Sequence, residues 1–333
     1  MPRYFKIALS VFTLFFIIVA TTNMVYSDDK IITPTTFRLE ASNAWSKLKS
    51  EYQKGVDITI EYSSLILENT DAKMRVCFDK DFEMNHIFYS NGEFNNVINK
   101  KYAFNIRKKT DTPSWIVRNM FSDPMISREN SQYFNKILGG TAIVFVGILV
   151  EDAWFEELLN SNTFTLLSIT NKKIDNEEYV ELQFKSNFFA DQINKVLGGK
   201  ILLDPNHFWV IKEYEVEVEV PPFNKGEKNR LVVANNAIDY QYIDNMPFPQ
   251  KYNTVYKYHN GEVISHLVFN FTSVKRSKVP QEIFYLKYYG FSEPVNPLKI
   301  RSTVLRIILI AIGVILILIG LYMKFLANKM KAD

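Results

Sequence analysis

The sequence predicts an α+β protein: a large antiparallel sheet with helices packed against it, followed by a C-terminal transmembrane helix. Three observations predict it. Alternation of apolar and polar residues with period two recurs over most of the chain. Aromatic residues are abundant, with 26 Phe and 18 Tyr in 333 residues, and such residues favour pleated, half-buried surfaces. An uncharged run, Ile307 to Met323, lies between Arg306 and Lys324 and carries no polar stripe.

The first element is an amphipathic helix opened by Pro34. Phe37, Ala41, Ala44, Trp45, Leu48 and Tyr52 fall on one face of a 3.6-residue repeat, with Lys47, Lys49 and Glu51 opposite. Something apolar must cover that stripe. From Asp57 the period becomes two. Strands are predicted at Asp57 to Leu67, Ala72 to Asp79, Asn85 to Tyr89, Phe94 to Ile98 and Tyr102 to Arg107, with Asn91-Gly92 as a hairpin signal. Ser127 to Leu138 reads as a short helix with Ser127 as N-cap, broken by Gly139-Gly140. Ala142 to Val150 is about half the length needed to span a bilayer, so it reads as a buried or lid-like helix.

Strands return at Phe164 to Ile169 and Glu178 to Lys185. The hairpin Lys200 to Val220 turns at Asp204-Pro205-Asn206-His207, and Tyr214, Val216, Val218 and Val220 alternate with Glu213, Glu215, Glu217 and Glu219. Leu231 to Ile243, Lys251 to Tyr258 and Val263 to Thr272 complete the set, with Asn260-Gly261 as a turn and Pro247 and Pro249 in a connection. Pro280 to Pro294 is aromatic but not periodic. Helix followed by meander occurs in both halves, a weak sign of duplication.

The ends suggest export. Arg3 and Lys6 precede the apolar stretch Ile7 to Ala20, about the length of a signal-peptide core. Val25 and Ser27 would precede a cut before Asp28; retention as a signal anchor is the other reading. The expected plan is a leader (1–27), an exported β-rich domain (28–298), a membrane span (303–326) and a short cytoplasmic tail (327–333). The positive-inside rule is nearly balanced around the span, so the leader sets the orientation. This places the chain in the plasma (inner) membrane, with its main domain extracytoplasmic (periplasmic) and the lipid bilayer as partner through Ile307 to Met323.

Composition excludes several functions. A net charge of +3, from 39 basic and 36 acidic residues, gives no footprint for nucleic acid. Cys77 is the single cysteine, so neither an intrachain disulfide nor a cysteine zinc site can form. His86, His207, His259 and His266 show no metal-ligand spacing, and His207 reads as a solvated turn residue. The glutamate ladder invites a cation, but neighbours two apart on a strand sit about 6–7 Å apart, so cross-strand pairing with Lys or Arg is expected, with Lys251 and Lys257 as candidates. No nucleophile elbow or phosphate-cradling glycine loop occurs, and Gly198-Gly199 is an isolated pair. No catalysis, cofactor or metal is expected, and no ligand-binding residue can be assigned. The aromatic excess could line a ligand site or fill a core.

The Trp45 stripe, the RVCF strand at Arg75 to Phe78 and ILLDP at Ile201 to Pro205 resemble the bacterial periplasmic lipoprotein-carrier (Lol-type) fold over roughly 37–274. The resemblance implies a curved, unclosed β-barrel with helices packed on or in its concave face. It also implies a hydrophobic or lipid-like ligand there, such as an acyl chain. Those carriers are soluble or lipid-anchored, so this chain would be a tethered holder. The alternatives are an envelope scaffold that docks a protein partner on a filled sheet, and an exported hydrolase.

Overall fold

The computed structural model describes residues 32–64, 72–124, 141–151, 153–190, 194–221 and 229–294. Helix α1 spans Pro34–Tyr52. Pro34 suits the first turn because it needs no amide partner there. Thr33 and Thr36 close the end reciprocally: the Thr36 amide donates to Oγ1 of Thr33 at 3.2 Å, and the Thr33 amide to Oγ1 of Thr36 at 2.9 Å.

Strands β1 (Val56–Ser64), β2 (Ala72–Asp79), β3 (Phe82–Tyr89), β4 (Gly92–Ile98), β5 (Ala103–Lys109) and β6 (Ile116–Phe121) form one antiparallel meander. A short hairpin, β7 (Leu149–Val150) and β8 (Ala153–Trp154), leads into α2 (Phe155–Asn160). Strands β9 (Thr165–Ile174), β10 (Glu177–Phe189), β11 (Lys195–Asp204), β12 (Val210–Val220), β13 (Arg230–Ile243), β14 (Met246–Tyr258) and β15 (Val263–Arg276) form the second meander. Strand β1 pairs with β15, which joins both into one 13-stranded antiparallel sheet running β6-β5-β4-β3-β2-β1-β15-β14-β13-β12-β11-β10-β9. The end strands β6 and β9 do not pair with each other, so the barrel is open.

The sheet must curl. Residues of α1 share one core with strands from β2 round to β10, eight neighbours in the order. Laid flat, those strands would cover more than about 30 Å, whereas a helix is about 10–12 Å across. Bulges provide part of the bend, notably where β11 meets β10 and β12 near Gly198.

Two cores result. On the inner face, Phe37, Trp45, Leu48 and Tyr52 of α1 pack with Ile58, Met74, Val76, Leu182, Ile201, Val216, Ile238 and Phe248. On the outer face of β2–β5, Phe82, Met84, Val97, Phe104 and Ile106 are covered by two 3₁₀ turns, Gln281–Phe284 and Leu286–Tyr289. The aromatic, aperiodic stretch after Pro280 is therefore a strap. Asn99 fastens it by donating to the Phe284 carbonyl at 2.8 Å. Strand β2 is buried on both sides, Val76 facing α1 and Cys77 facing the strap.

Two expectations about class and placement are corrected. No helix among the described residues is long and apolar enough to cross a membrane. The transmembrane helix, the plasma-membrane placement and the bilayer contact built on it are therefore unsupported. The longest described helix, the 19-residue α1, carries charged side chains opposite its apolar stripe. The run Ile307 to Met323, the N-terminal leader, Gly139-Gly140 and the helix predicted for Ser127 to Leu138 lie outside the described residues.

The α+β assignment also yields to a single dominant sheet, with one long helix and one of six residues among the described residues. Strands extend through stretches read as connections. Pro247 and Pro249 lie inside β14, paired with Tyr242 and Tyr240 beside a register shift. Strand β6 was not anticipated. The helix expected over Ala142 to Val150 is instead a 3₁₀ segment, Thr141–Ile148, running into the β7–β8 hairpin. Crowded β-branched residues such as Ile143, Val144 and Val146 weaken α-helix there.

Candidate ligand-binding face

The inner face is built by alternation. From β1, Ile58, Ile60 and Tyr62 point inward, and from β12, Tyr214, Val216 and Val218. Helix α1 closes the centre of this face. The Trp45 indole donates to the Trp209 carbonyl at 3.0 Å, and the Tyr52 hydroxyl donates to the Pro247 carbonyl. The Trp209 ring meets Phe37 edge-on at 5.2 Å, and Trp45 meets Phe155 at 5.4 Å. Phe145, Phe155 and Leu158 fill the remaining space. These aromatic residues are thus core, and the centre of the face is packed.

Away from α1 the face stays apolar but opens. Tyr62, Phe269 and Tyr252 are directly opposed across β1, β15 and β14. Their rings stack in a row, with successive centroids 5.5 Å and 5.5 Å apart and interplanar angles of 22° and 24°. Both tyrosines remain half-buried. Leu267 and Ser265, also half-buried, continue this face along β15.

A polar group adjoins that row. Glu151, at the tip of the β7–β8 hairpin with φ 55°, reaches onto the inner face. Its carboxylate accepts from the Tyr214 hydroxyl at 3.2 Å and from the Tyr256 hydroxyl at 2.9 Å. Its amide in turn donates to the Tyr214 oxygen at 3.1 Å. Burial and the nearby negative charge push the Tyr214 phenol well above its ordinary value, so it stays a neutral donor.

Between the two tyrosine-bearing strands, β13 presents Asn236, which sits opposite both Tyr214 and Thr254. Asn236 is 3% exposed and Thr254 4%. Neither the amide oxygen and nitrogen of Asn236 nor the Thr254 hydroxyl has a hydrogen-bond partner. Buried polar groups are normally satisfied, and each exception costs about 1–3 kcal/mol.

The outer face behaves differently. Glu215 and Glu219 face Lys200 at 3.5 Å and Lys195 at 3.7 Å, and Glu217 faces His259 at 3.6 Å. Cross-strand pairing was expected, but from β11 rather than from Lys251 and Lys257. A groove of about 250 Å³ lies over these strands, lined by Glu181, Lys200, Glu213, Glu215, Asn235 and Asn253. His266 meets Asn253 at 2.8 Å, and His207 meets the Asp204 carboxylate at 2.8 Å beside the Tyr242 ring. His86 is stacked on Phe88 and pairs with Glu93 at 2.9 Å. Among the described residues, no three His, Cys, Asp or Glu side chains gather as a metal site would require.

Cys77 is fully buried beside Asp57, and burial raises its thiol far above its ordinary value. None of the residues gathered around Glu151 on the inner face was singled out from sequence as a site residue. Glu151 and Asn236 are far apart in the chain, and only strand pairing brings them together.

No family model matches the chain, and no curated protein matches it. Among solved structures, the chain is similar to a putative outer membrane lipoprotein-sorting protein domain from Vibrio parahaemolyticus. The identity is 10% and the TM-score 0.40, over 76% of this chain and 100% of that one. It is also similar to a DUF1329 family protein from Desulfovibrio piger, at 7% identity and TM-score 0.38, over 75% and 97%. MucB in complex with MucA(peri) aligns at 7% identity and TM-score 0.17, over 72% and 100%.

Proposed function

We propose that the chain is a binding protein, not an enzyme, which holds a hydrophobic or lipid-like ligand against the inner face of its open sheet. One observation carries this reading: the stacked row Tyr62–Phe269–Tyr252, with both tyrosines half-buried, continues the apolar inner face beyond α1. Apolar and aromatic linings with a few convergent polar groups are the usual make-up of small-molecule sites. Acyl chains need such a surface and little else, because burying each methylene contributes about 0.8 kcal/mol.

A scaffold reading also has support. The centre of the inner face is occupied by Trp45, Phe155 and Phe145, so a protein partner could use the sheet with no internal ligand. The two differ in what the purified protein carries. Organic extraction followed by lipid mass spectrometry, with titration of a neutral environment-sensitive naphthylamine dye, separates them. Co-purifying lipid, or dye binding lost in Tyr252→Ala, supports the ligand reading. Recovery of no lipid together with no dye binding overturns it and leaves the scaffold.

A further inference from the structure

The geometry points to a carboxylate-recognition subsite formed by Tyr214, Tyr256, Asn236 and Thr254, in which Glu151 stands in for the head of a long-chain carboxylic acid. This rests on the proposed ligand-binding role and narrows the ligand from any lipid to an amphiphile with an anionic head.

Three observations converge. First, two phenol hydroxyls on β12 and β14 donate to the same carboxylate, Tyr214 to Oε1 and Tyr256 to Oε2 of Glu151. Hydrogen bonds to an ionised acceptor are roughly twice as strong as neutral ones, so the pair suits an anion. Second, the carboxylate bridges β12 and β14 across β13, where Asn236 faces inward between Tyr214 and Thr254. The unpartnered Asn236 amide and Thr254 hydroxyl lie in this row, each more than nine-tenths buried. Reversing the Asn236 amide would not help, because both its nitrogen and its oxygen lack partners. Third, the subsite opens directly onto the aromatic row. Leu267 is opposite Thr254, and Tyr252 is two residues from Thr254 on the same face of β14. Head and tail positions are therefore contiguous, as a single-chain amphiphile requires.

The occupant's charge follows from competition. Two carboxylates sharing one partly buried site repel, so an incoming acid must displace Glu151 rather than join it. The Glu151 hairpin then sets a threshold: the chain's own carboxylate weakens binding of ligand acids and leaves neutral amphiphiles almost unaffected.

The test is isothermal titration of the full chain at pH 8 with dodecanoate and with its methyl ester. Wild type is compared with Glu151→Gln, Glu151→Ala and Glu151→Ala combined with Tyr256→Phe, each first shown to be folded by its thermal transition. Dodecanoate should bind Glu151→Ala and Glu151→Gln at least tenfold more tightly than wild type. Adding Tyr256→Phe to Glu151→Ala, where no competing carboxylate remains, should weaken dodecanoate several-fold relative to Glu151→Ala alone, while the ester shifts less than twofold throughout. Equal affinity for acid and ester, or parallel changes in both, overturns the carboxylate subsite while leaving the proposed function intact. Failure of both ligands to bind any variant also overturns the carboxylate subsite, and the proposed function then stands or falls on lipid recovery and dye binding. The two glutamate substitutions guard against loss of fold, since Gln keeps an acceptor for the tyrosine hydroxyls.

Discussion

The indole N–H of Trp45 lies 3.0 Å from the carbonyl oxygen of Trp209, bridging α1 to the β11–β12 turn. That turn holds two bulky residues with positive φ, Phe208 at 62° and Trp209 at 55°. Such angles are costly for aromatic residues, so the bond and the Phe37 contact must help hold the turn. Trp45→Phe keeps most of the apolar volume but leaves the Trp209 carbonyl without its donor. The expected loss is about 1–3 kcal/mol. In urea unfolding the midpoint should fall with no change in slope.

Arg75 grips Asp57 with two hydrogen bonds, Nε to Oδ1 at 2.9 Å and Nη2 to Oδ2 at 2.7 Å. Burial alone would raise the Asp57 carboxyl, but the Arg75 hydrogen bond and charge outweigh it and hold the carboxyl below its ordinary value. A carboxylate depressed in the fold adds stability that is complete above its unfolded pKa, near 4, and is lost as pH falls below that value. Asp57→Asn should therefore lower stability at pH 7 and narrow the gap from wild type as pH falls from about 5 to 2. Chemical denaturation at a series of pH values measures this. A gap that stays constant across the window would show that the pair does not titrate with folding.

His86 reports on the strap. Its ring is stacked 4.0 Å from Phe88 and meets Trp115 edge-on at 5.6 Å, and Trp115 meets Tyr289 of the strap at 5.5 Å. Burial lowers its pKa despite Glu93, with Arg75 and Lys108 opposing its charge as well. A histidine whose pKa is depressed by folding prefers to be neutral in the fold. Stability is thus complete above about pH 6.5 and declines as pH drops below it. His86→Phe should flatten the decline between about pH 6.5 and 5. Hydrogen-exchange protection factors at the Leu286 and Tyr288 amides, taken relative to the intrinsic rate at each pH, should fall in that range in wild type and not in the variant.

Much of this fold was legible because the signals were local. The Trp45 stripe and the Glu213–Val220 alternation each depend on one element, and both appear where the periodicity places them. The strap was illegible because Ile283, Phe284, Leu286 and Tyr289 follow no period; they are apolar because a two-sided strand, β2, needs covering on its second face. Strand β6 was missed because an edge strand with Ile116 and Met120 half-exposed lacks clean alternation. Two hairpin turns, Asp175-Asn176 and Asp244-Asn245, have positive φ at both central residues, the pattern of a type I′ turn. Neither contains the glycine that usually signals one. The proposed ligand-binding face could not be read at all, since it depends on the β12–β13–β14 register and on a hairpin tip about 60 residues before β12.

Curvature itself gives the last expectation. Gly198 and Gly199 have φ of 147° and 151° within β11. A Cβ on Gly199 would lie 2.1 Å from the Glu215 carbonyl oxygen, and one on Gly198 2.6 Å from that of Phe184. Both obstacles are backbone, one on each neighbouring strand, so neither can rotate away. The register shifts there on both sides, which bends the sheet towards α1. Gly199→Ala combines a forbidden approach with an unfavourable φ and should destabilise by more than about 1 kcal/mol. It should also loosen the inner core next to the bulge, where Val196 and Val216 pack. Gly261→Ala is the control: its φ is also positive, 87°, but nothing lies within 4 Å of the added carbon. If the two variants lose equal stability in thermal unfolding, backbone strain alone explains the glycine pair. A clearly larger loss at Gly199 identifies close strand approach as the reason the sheet needs glycine there.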